Sequence, residues 1–173
     1  MEQIKVRAET PTDFRAIDVV NLSAFQGEEE AQLIAELRKS SEFIPDLSLV
    51  AELNGRIVGH VVLSKIQLRT EQGSTEVLAL GPMSVVPSQS HRGIGSELIN
   101  AAVARARPLC YSAIIVAGRP DYYLRFGFQP ISAWSLTCNL AIPEDALTAM
   151  ELVDGALREG GNIEYPDIFK ALF

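Results

Sequence analysis

The chain has 173 residues, 47% of them hydrophobic, which fits one domain with a real core. Its 22 acidic and 15 basic residues leave a net charge of −7. That balance argues against a general grip on nucleic acid or anionic membrane, since both need clustered Lys and Arg, and it is compatible with a cationic substrate such as an amine. Cys110 and Cys138 lie far apart, form no CxxC pair and have only His60 and His91 for company, so no metal site is expected. Met1 to Ala8 is charged and lacks a long apolar run, and no apolar stretch reaches the length of a membrane span. A cytoplasmic protein with reduced thiols is the expectation.

Ile4 to Ala8 alternates as a half-buried strand would. Thr10-Pro11 reads as a helix start, with Asp13 at the positive end and Phe14, Ile17, Val20 and Ala24 at helical spacing. After Gln26-Gly27 and the acidic run Glu28-Glu29-Glu30, a second helix buries Leu33, Ile34 and Leu37. Leu47–Leu53 and Ile57–Ile66 read as a hairpin through Asn54-Gly55, a pair that tolerates the positive φ of a type I′ turn. A further turn at Gln72-Gly73-Ser74 leads to a strand over Glu76–Val86. Gly81-Pro82 breaks that strand and predicts a bulge or splayed edge. Gly93–Ala106 is helical until Pro108, Ser112–Ala117 is a buried strand, Pro120–Arg125 a short helix, and Phe128 resumes extended structure. A last strand is expected over Glu151–Leu157, then a Gly160-Gly161 turn, with Tyr165–Phe173 packing at the end. The order β-α-α-β-β-β-α-β-α-β-β, without repeat or linker, implies a layered α/β domain with a mixed sheet.

The segment most informative about chemistry is Pro87-Ser88-Gln89-Ser90-His91-Arg92-Gly93-Ile94-Gly95-Ser96, which joins a strand to a helix. Two glycines two apart permit a tight turn, and loop N–H groups with a helix N-terminus make an anion site, helped by His91 and Arg92. A plain glycine turn before a helix would give the same GxG pattern.

The match is wider than GxG. Ser90 to Gly95 resembles the signature Q/R-x-x-G-x-G/A of the GNAT superfamily, with Ser90 where the signature has Gln or Arg. Gly118-Arg119-Pro120-Asp121-Tyr122-Tyr123-Leu124-Arg125-Phe126-Gly127-Phe128 resembles that family's helix-then-strand element, in which a Tyr precedes Gly-Phe by four residues. Leu78 to Pro87 is similar to its splayed strand, and the wording around Gly81-Pro82 and Tyr122-Tyr123 resembles the YhbS-like subgroup. The resemblance covers about residues 4–131 of a single 173-residue domain and leaves 132–173 as a subgroup-specific part.

The resemblance implies a splayed, mixed central sheet flanked by helices, with acetyl-CoA as cosubstrate. It implies that His91, Arg92, Gly93, Ile94, Gly95 and Ser96 hold the pyrophosphate. Backbone N–H groups of Met83, Ser84 and Val85 would meet the thioester carbonyl. Tyr123 is implied as the general acid on the leaving thiolate, a role for which Tyr122 is the weaker choice. Glu28, Glu29 and Glu30 stand where the family often places an acceptor-binding loop, although a solvated charge run reads the same way. The expected reaction is direct acetyl transfer to a primary amine of a small molecule or protein in a ternary complex. The general base stays open between Glu76, His60, backbone carbonyls and water. The resemblance leaves room for a homodimer. The alternative is an acyl-CoA-binding module that senses without turnover. A P-loop lacks its GKS or GKT, and Ser84 and Ser96 lack a nucleophile elbow.

Overall fold

Turn chemistry and alternating apolar residues set the order of the elements. The computed structural model describes residues 3–173; Met1 and Glu2, which open the stretch read as lacking a signal pattern, lie outside the described residues. Strand β1 spans Ile4–Ala8, α1 Phe14–Ala24, α2 Glu29–Arg38, β2 Phe43–Leu53, β3 Arg56–Thr70 and β4 Gly73–Val85. Then come α3 (Ile94–Ala106), β5 (Ala113–Ala117), α4 (Pro120–Leu124), β6 (Gln129–Pro130), β7 (Leu136–Cys138), β8 (Leu147–Glu151) and β9 (Gly161–Glu164). The expected order is reproduced through β6, and the strands after it differ from expectation.

Capping starts α1 as anticipated. Thr10 precedes a 3-10 turn over Pro11–Asp13, and its backbone N–H donates to the Asp13 carboxylate at 2.8 Å. Asn54 and Gly55 sit at φ 53° and 76° between the paired Leu53 and Arg56, the two-residue turn that a right-twisted hairpin favours. The next turn differs from expectation. Thr70 pairs with Gly73, so the loop is Glu71-Gln72 and Gly73 is the first residue of β4. The strands on both sides extend further than their apolar cores suggested.

The sheet runs β1-β2-β3-β4-β5-β8-β6, with β9 pairing the far end of β3 and β7. It is antiparallel except for β4–β5 and β7–β9. A parallel pair needs a crossover, and α3 supplies it between β4 and β5. Two apolar clusters form, one on each face. Leu33, Ile34 and Leu37 of α2 pack with Val62, Val77 and Ile115 on one side. Ile94, Leu98, Ile99 and Ala102 of α3 pack with Val61, Leu63 and Leu78 on the other. Alternation along β3 sends successive side chains to opposite clusters. The result is a mixed α/β fold whose mostly antiparallel sheet is flanked by helices, as expected.

The strand expected over Glu151–Leu157 is not there. The pairing run is Leu147–Glu151, which lies against Ala113–Ala117 inside the sheet. The Glu151 carboxylate turns to accept the Leu157 N–H at 2.8 Å, and Gly155 at φ 83° folds the chain back. Glu151 thus closes a turn after β8, and residues 152–157 cannot continue the ladder.

Candidate active site

A break in one strand organises the site. Val61 pairs with Met83 and Leu63 with Leu80, so Val62 alone faces both Gly81 and Pro82. This is the bulge expected from Gly81-Pro82, with Gly81 at φ 124°, a conformation that favours glycine. The β4–β5 ladder runs from Leu78↔Ile114 to Leu80↔Val116 and ends there. Beyond Leu80 the two parallel strands splay. Alternate residues of Met83–Val85 therefore direct backbone groups to an edge with no strand partner among the described residues. Ligands commonly enter at the carboxyl ends of parallel strands, where neighbours part.

A cleft of about 560 Å³ fills the splay, lined by Met83, Val85, Gly118, Arg119, Tyr122 and Tyr123 among others. A second depression of about 400 Å³ shares Met83, Val85 and Tyr122 with it and reaches the loop before α3. Gln89, Ser90, His91, Gly93, Ile94, Gly95, Ser96 and Arg125 complete that depression. His91 and Gly93 hold φ of 68° and 80° on either side of Arg92. The first intrahelical bond of α3 is Glu97 N–H to Gly93 O, at 3.0 Å. The N–H groups of Ile94, Gly95 and Ser96 thus have no partner within the helix. Such a loop and helix start can receive an anion.

Close packing fixes this loop. A Cβ on Gly59 of β3 would lie 3.0 Å from both Ile94 and Leu98, so glycine there lets the start of α3 settle onto the sheet. Ser90, which departs from the signature, donates its hydroxyl to Pro87 O at 2.8 Å and closes its own turn. Gln89 lines the depression instead, with a buried Oε1 that lacks a hydrogen-bond partner. Arg92 does not line it. Arg125 does, from the end of α4, and its guanidinium carbon lies 5.5 Å from the Tyr122 ring centre. Sequence reasoning passed over Arg125. Its spacing of three from Tyr122 on a helix was the available signal.

The two adjacent tyrosines have different jobs. A Cβ on Gly95 would lie only 2.4 Å from the Tyr122 hydroxyl. Tyr122 therefore rests on the first turn of α3, and Gly95 makes the room. Tyr123 is buried against Gly118 and stands edge-on to Phe128 at 5.8 Å. Burial pushes its phenol up to about 12, so the group stays protonated at ordinary pH.

The acidic run divides on α2. Glu30 lines the cleft beside Phe25, whereas Glu28 accepts from Gln32 at 3.5 Å and the Glu29 carboxylate lies against Gly27. Glu76 pairs with Gln67, five residues before the bulge and about 17 Å along the strand. His60 is fully buried in a polar cluster beneath α1 and α2. Arg38 pairs with Glu9 at 2.8 Å, and the Ser48 hydroxyl donates to the same carboxylate. Ser48 has one proton to give. His60 Nε2 must therefore donate in its contacts with Ser48 (2.9 Å) and Glu9 (3.1 Å), while the buried Nδ1 has no hydrogen-bond partner, which favours a neutral ring. Burial also pushes the His60 pKa down. Burial pushes the Glu9 carboxyl up, but hydrogen bonds from His60, Arg38 and Ser48 outweigh it and hold the group at about 2. Ser84, opposite His60 in the ladder, is buried on neither cleft surface.

Residues 14–128 match the acetyltransferase (GNAT) family. The chain belongs to the GNAT acetyltransferase family. It is 28% identical over 166 residues to the uncharacterized N-acetyltransferase YhbS of Escherichia coli K12, covering 95% of this chain and 97% of that protein. It is 32% identical over 119 residues to the uncharacterized N-acetyltransferase YjhQ of the same strain, covering 69% of this chain and 66% of YjhQ. The crystal structure of E. coli YhbS in complex with CoA superposes with a TM-score of 0.90 at 26% identity, covering 98% of this chain and 93% of that one. A GNAT acetyltransferase of Brucella melitensis in complex with acetyl-CoA gives 0.78 at 26% identity, covering 96% and 98%. These likenesses extend over nearly the whole chain, whereas the family match covers residues 14–128. Among the described residues, no group of three or more His, Cys, Asp or Glu is placed to hold a metal ion, and no helix is long and apolar enough to cross a membrane.

Proposed function

We propose that this GNAT enzyme transfers the acetyl group of acetyl-CoA to a primary amine, both substrates being bound together. The carrying observation is continuity: the anion-accepting loop before α3, the open edge of β4 and the Tyr123 side chain border two depressions that share Met83, Val85 and Tyr122. CoA in the YhbS structure and acetyl-CoA in the Brucella one support the choice of cosubstrate.

The residues present fit such a molecule. An anionic pyrophosphate suits the N–H groups of Gly93 to Ser96, with His91, Arg92 and Arg125 adding donors or charge. An apolar thioester arm suits the splay between Leu80 and Ala117. Acetyl-CoA supplies an activated acyl group and a thiolate that must be protonated when it leaves. Of Met83, Ser84 and Val85, the alternate residues whose backbone N–H groups face the open edge of β4 would meet negative charge developing on the acyl oxygen. Tyr123 holds the proton for the thiolate, and its raised pKa keeps that proton available. Glu30 is the member of the acidic run that faces the acceptor, whose ammonium must first give up a proton to water so that the free amine can attack the thioester carbon. A cytoplasmic setting fits the unpaired Cys110 and Cys138.

The test is Tyr123→Phe, assayed by thiol release with an amine acceptor and by calorimetry with acetyl-CoA. Turnover falls about 100-fold while cofactor affinity holds within about threefold. Equal turnover in both forms would remove Tyr123 from the reaction and favour either another acid or a non-catalytic acyl-CoA sensor.

A further inference from the structure

The acceptor end of the cleft differs in character from the splay. Its walls come from two segments far apart in sequence: the α1–α2 turn with Phe25 and Glu30, and the C-terminal 3-10 turn over Asp167–Leu172 with its flanks. The second segment contributes Tyr165, Phe169, Leu172 and Phe173. Tyr165 stands edge-on to Phe169 at 5.1 Å and tilted to Phe173 at 6.3 Å, so the rings form one prebuilt surface. Tyr165 and Phe169 are buried, but Phe173 is 46% exposed. Burial pushes the Tyr165 phenol up, so that wall carries no charge.

Charge is correspondingly sparse. Glu30 and Arg119 are the ionisable carboxylate and guanidinium that line the cleft. Arg119 lies near enough to Tyr123 to favour its ionised form, which puts that cation at the thioester end. Glu30 is then the negative charge at the acceptor end, in the first turn of α2 where a helix favours an anion. A linear polyamine would meet one carboxylate and one repelling arginine. A peptide would need backbone partners, which ring faces do not provide. A compact body of aromatic or bulky apolar character, bearing one ammonium, matches both features.

We infer that the acceptor is a small arylalkyl-type amine whose ammonium meets Glu30 and whose apolar body lies on the surface of Phe25, Phe169 and Phe173. This rests on the acetyltransferase reading above, and its test separates the two.

Phenethylamine, its uncharged analogue 2-phenylethanol, spermidine and a lysine-containing hexapeptide are titrated into the full chain saturated with CoA. Binding does not depend on turnover, so an inactive assay does not obscure the result. Phenethylamine binds about tenfold more tightly than each of the other three. Glu30→Gln abolishes its advantage over the alcohol, and Phe173→Ala weakens it by about fivefold or more. Phe169→Ala repeats the loss, but Phe169 is buried, so the exposed Phe173 keeps the test independent of folding. Spermidine or peptide binding as tightly as phenethylamine overturns the inference, as does phenethylamine affinity unchanged in Phe173→Ala. Failure of acetyl-CoA to bind in a parallel titration would sink the acetyltransferase reading itself. Acetyl-CoA binding without phenethylamine binding sinks only the acceptor class.

Discussion

Gly95→Ala should reverse its effect on stability when one oxygen atom is removed elsewhere. The new Cβ would sit 2.4 Å from the Tyr122 hydroxyl, against an ordinary separation of 3.4 Å or more. Tyr122 cannot swing away freely, since its ring is held at 5.2 Å from Tyr123 and 5.3 Å from Phe126. Overpacking of this kind costs about 1–2 kcal/mol. Replacing glycine in the first turn of α3 returns about 0.5 kcal/mol of backbone entropy. The net effect in the native background is a loss of about 1 kcal/mol. With Tyr122→Phe the nearest remaining atoms are the ring carbon at 3.7 Å and Met83 Cε at 3.8 Å, both ordinary contacts. There the same substitution stabilises by about 0.5 kcal/mol. Urea unfolding of the four proteins of this double-mutant cycle measures the change, and the coupling is about 1–2 kcal/mol. Equal effects of Gly95→Ala in both backgrounds would refute the claim that Gly95 is there to seat Tyr122.

With the Tyr123 phenol at about 12, kcat shows no alkaline loss from this group until pH approaches that value; a descending limb near pH 9 that disappears in Tyr123→Phe would contradict it. Folded-state pKa values are depressed for both His60, below its usual 6.5, and Glu9, from 4.5 to about 2. The unfolded chain therefore binds more protons in this range. Stability is complete above about pH 6.5 and falls as pH drops, first through His60 and then through Glu9 below about 4.5. Glu9→Gln strands Arg38 and costs about 3 kcal/mol at pH 7 while flattening the acid slope, as urea unfolding between pH 4 and 8 will read. Gly59→Ala presses on Ile94, Leu98 and the Ser84 carbonyl, lowering stability by about 1–3 kcal/mol and shifting the start of α3, so calorimetry should find weaker acetyl-CoA binding.

Local chemistry made much of the fold readable. Asn54-Gly55 announced its turn, Gly81-Pro82 its bulge, and the spacing of Ile94, Leu98 and Ile99 the buried face of α3. Each depends on near neighbours in the chain. What escaped depends on distant ones. β8 takes its register from β5, more than thirty residues earlier, so the apolar Leu152 and Val153 misled by looking like strand while Glu151 was already closing a turn. The Glu71-Gln72 turn was missed because Gly73 attracts a turn reading, although the ladder begins at that glycine.

The candidate site shows the same division. The loop from His91 to Ser96 and the Tyr122-Tyr123 pair were visible as spacing in the sequence. Which of Glu28, Glu29 and Glu30 reaches the cleft depends on the phase at which α2 begins, and Glu30 alone lines it. The aromatic wall of Tyr165, Phe169 and Phe173 joins the site only because β9 pairs with β3 and carries the chain back across the sheet.

Calorimetric titration of the purified chain with acetyl-CoA, with NAD as the comparison, decides whether the loop before α3 and the open edge of β4 form a cofactor site. Acetyl-CoA should bind saturably and one-to-one, more weakly in Arg125→Ala, and NAD should not bind. Folded protein that binds no acetyl-CoA would contradict that assignment, and the loop before α3 would then be a turn that happens to resemble a cofactor cradle.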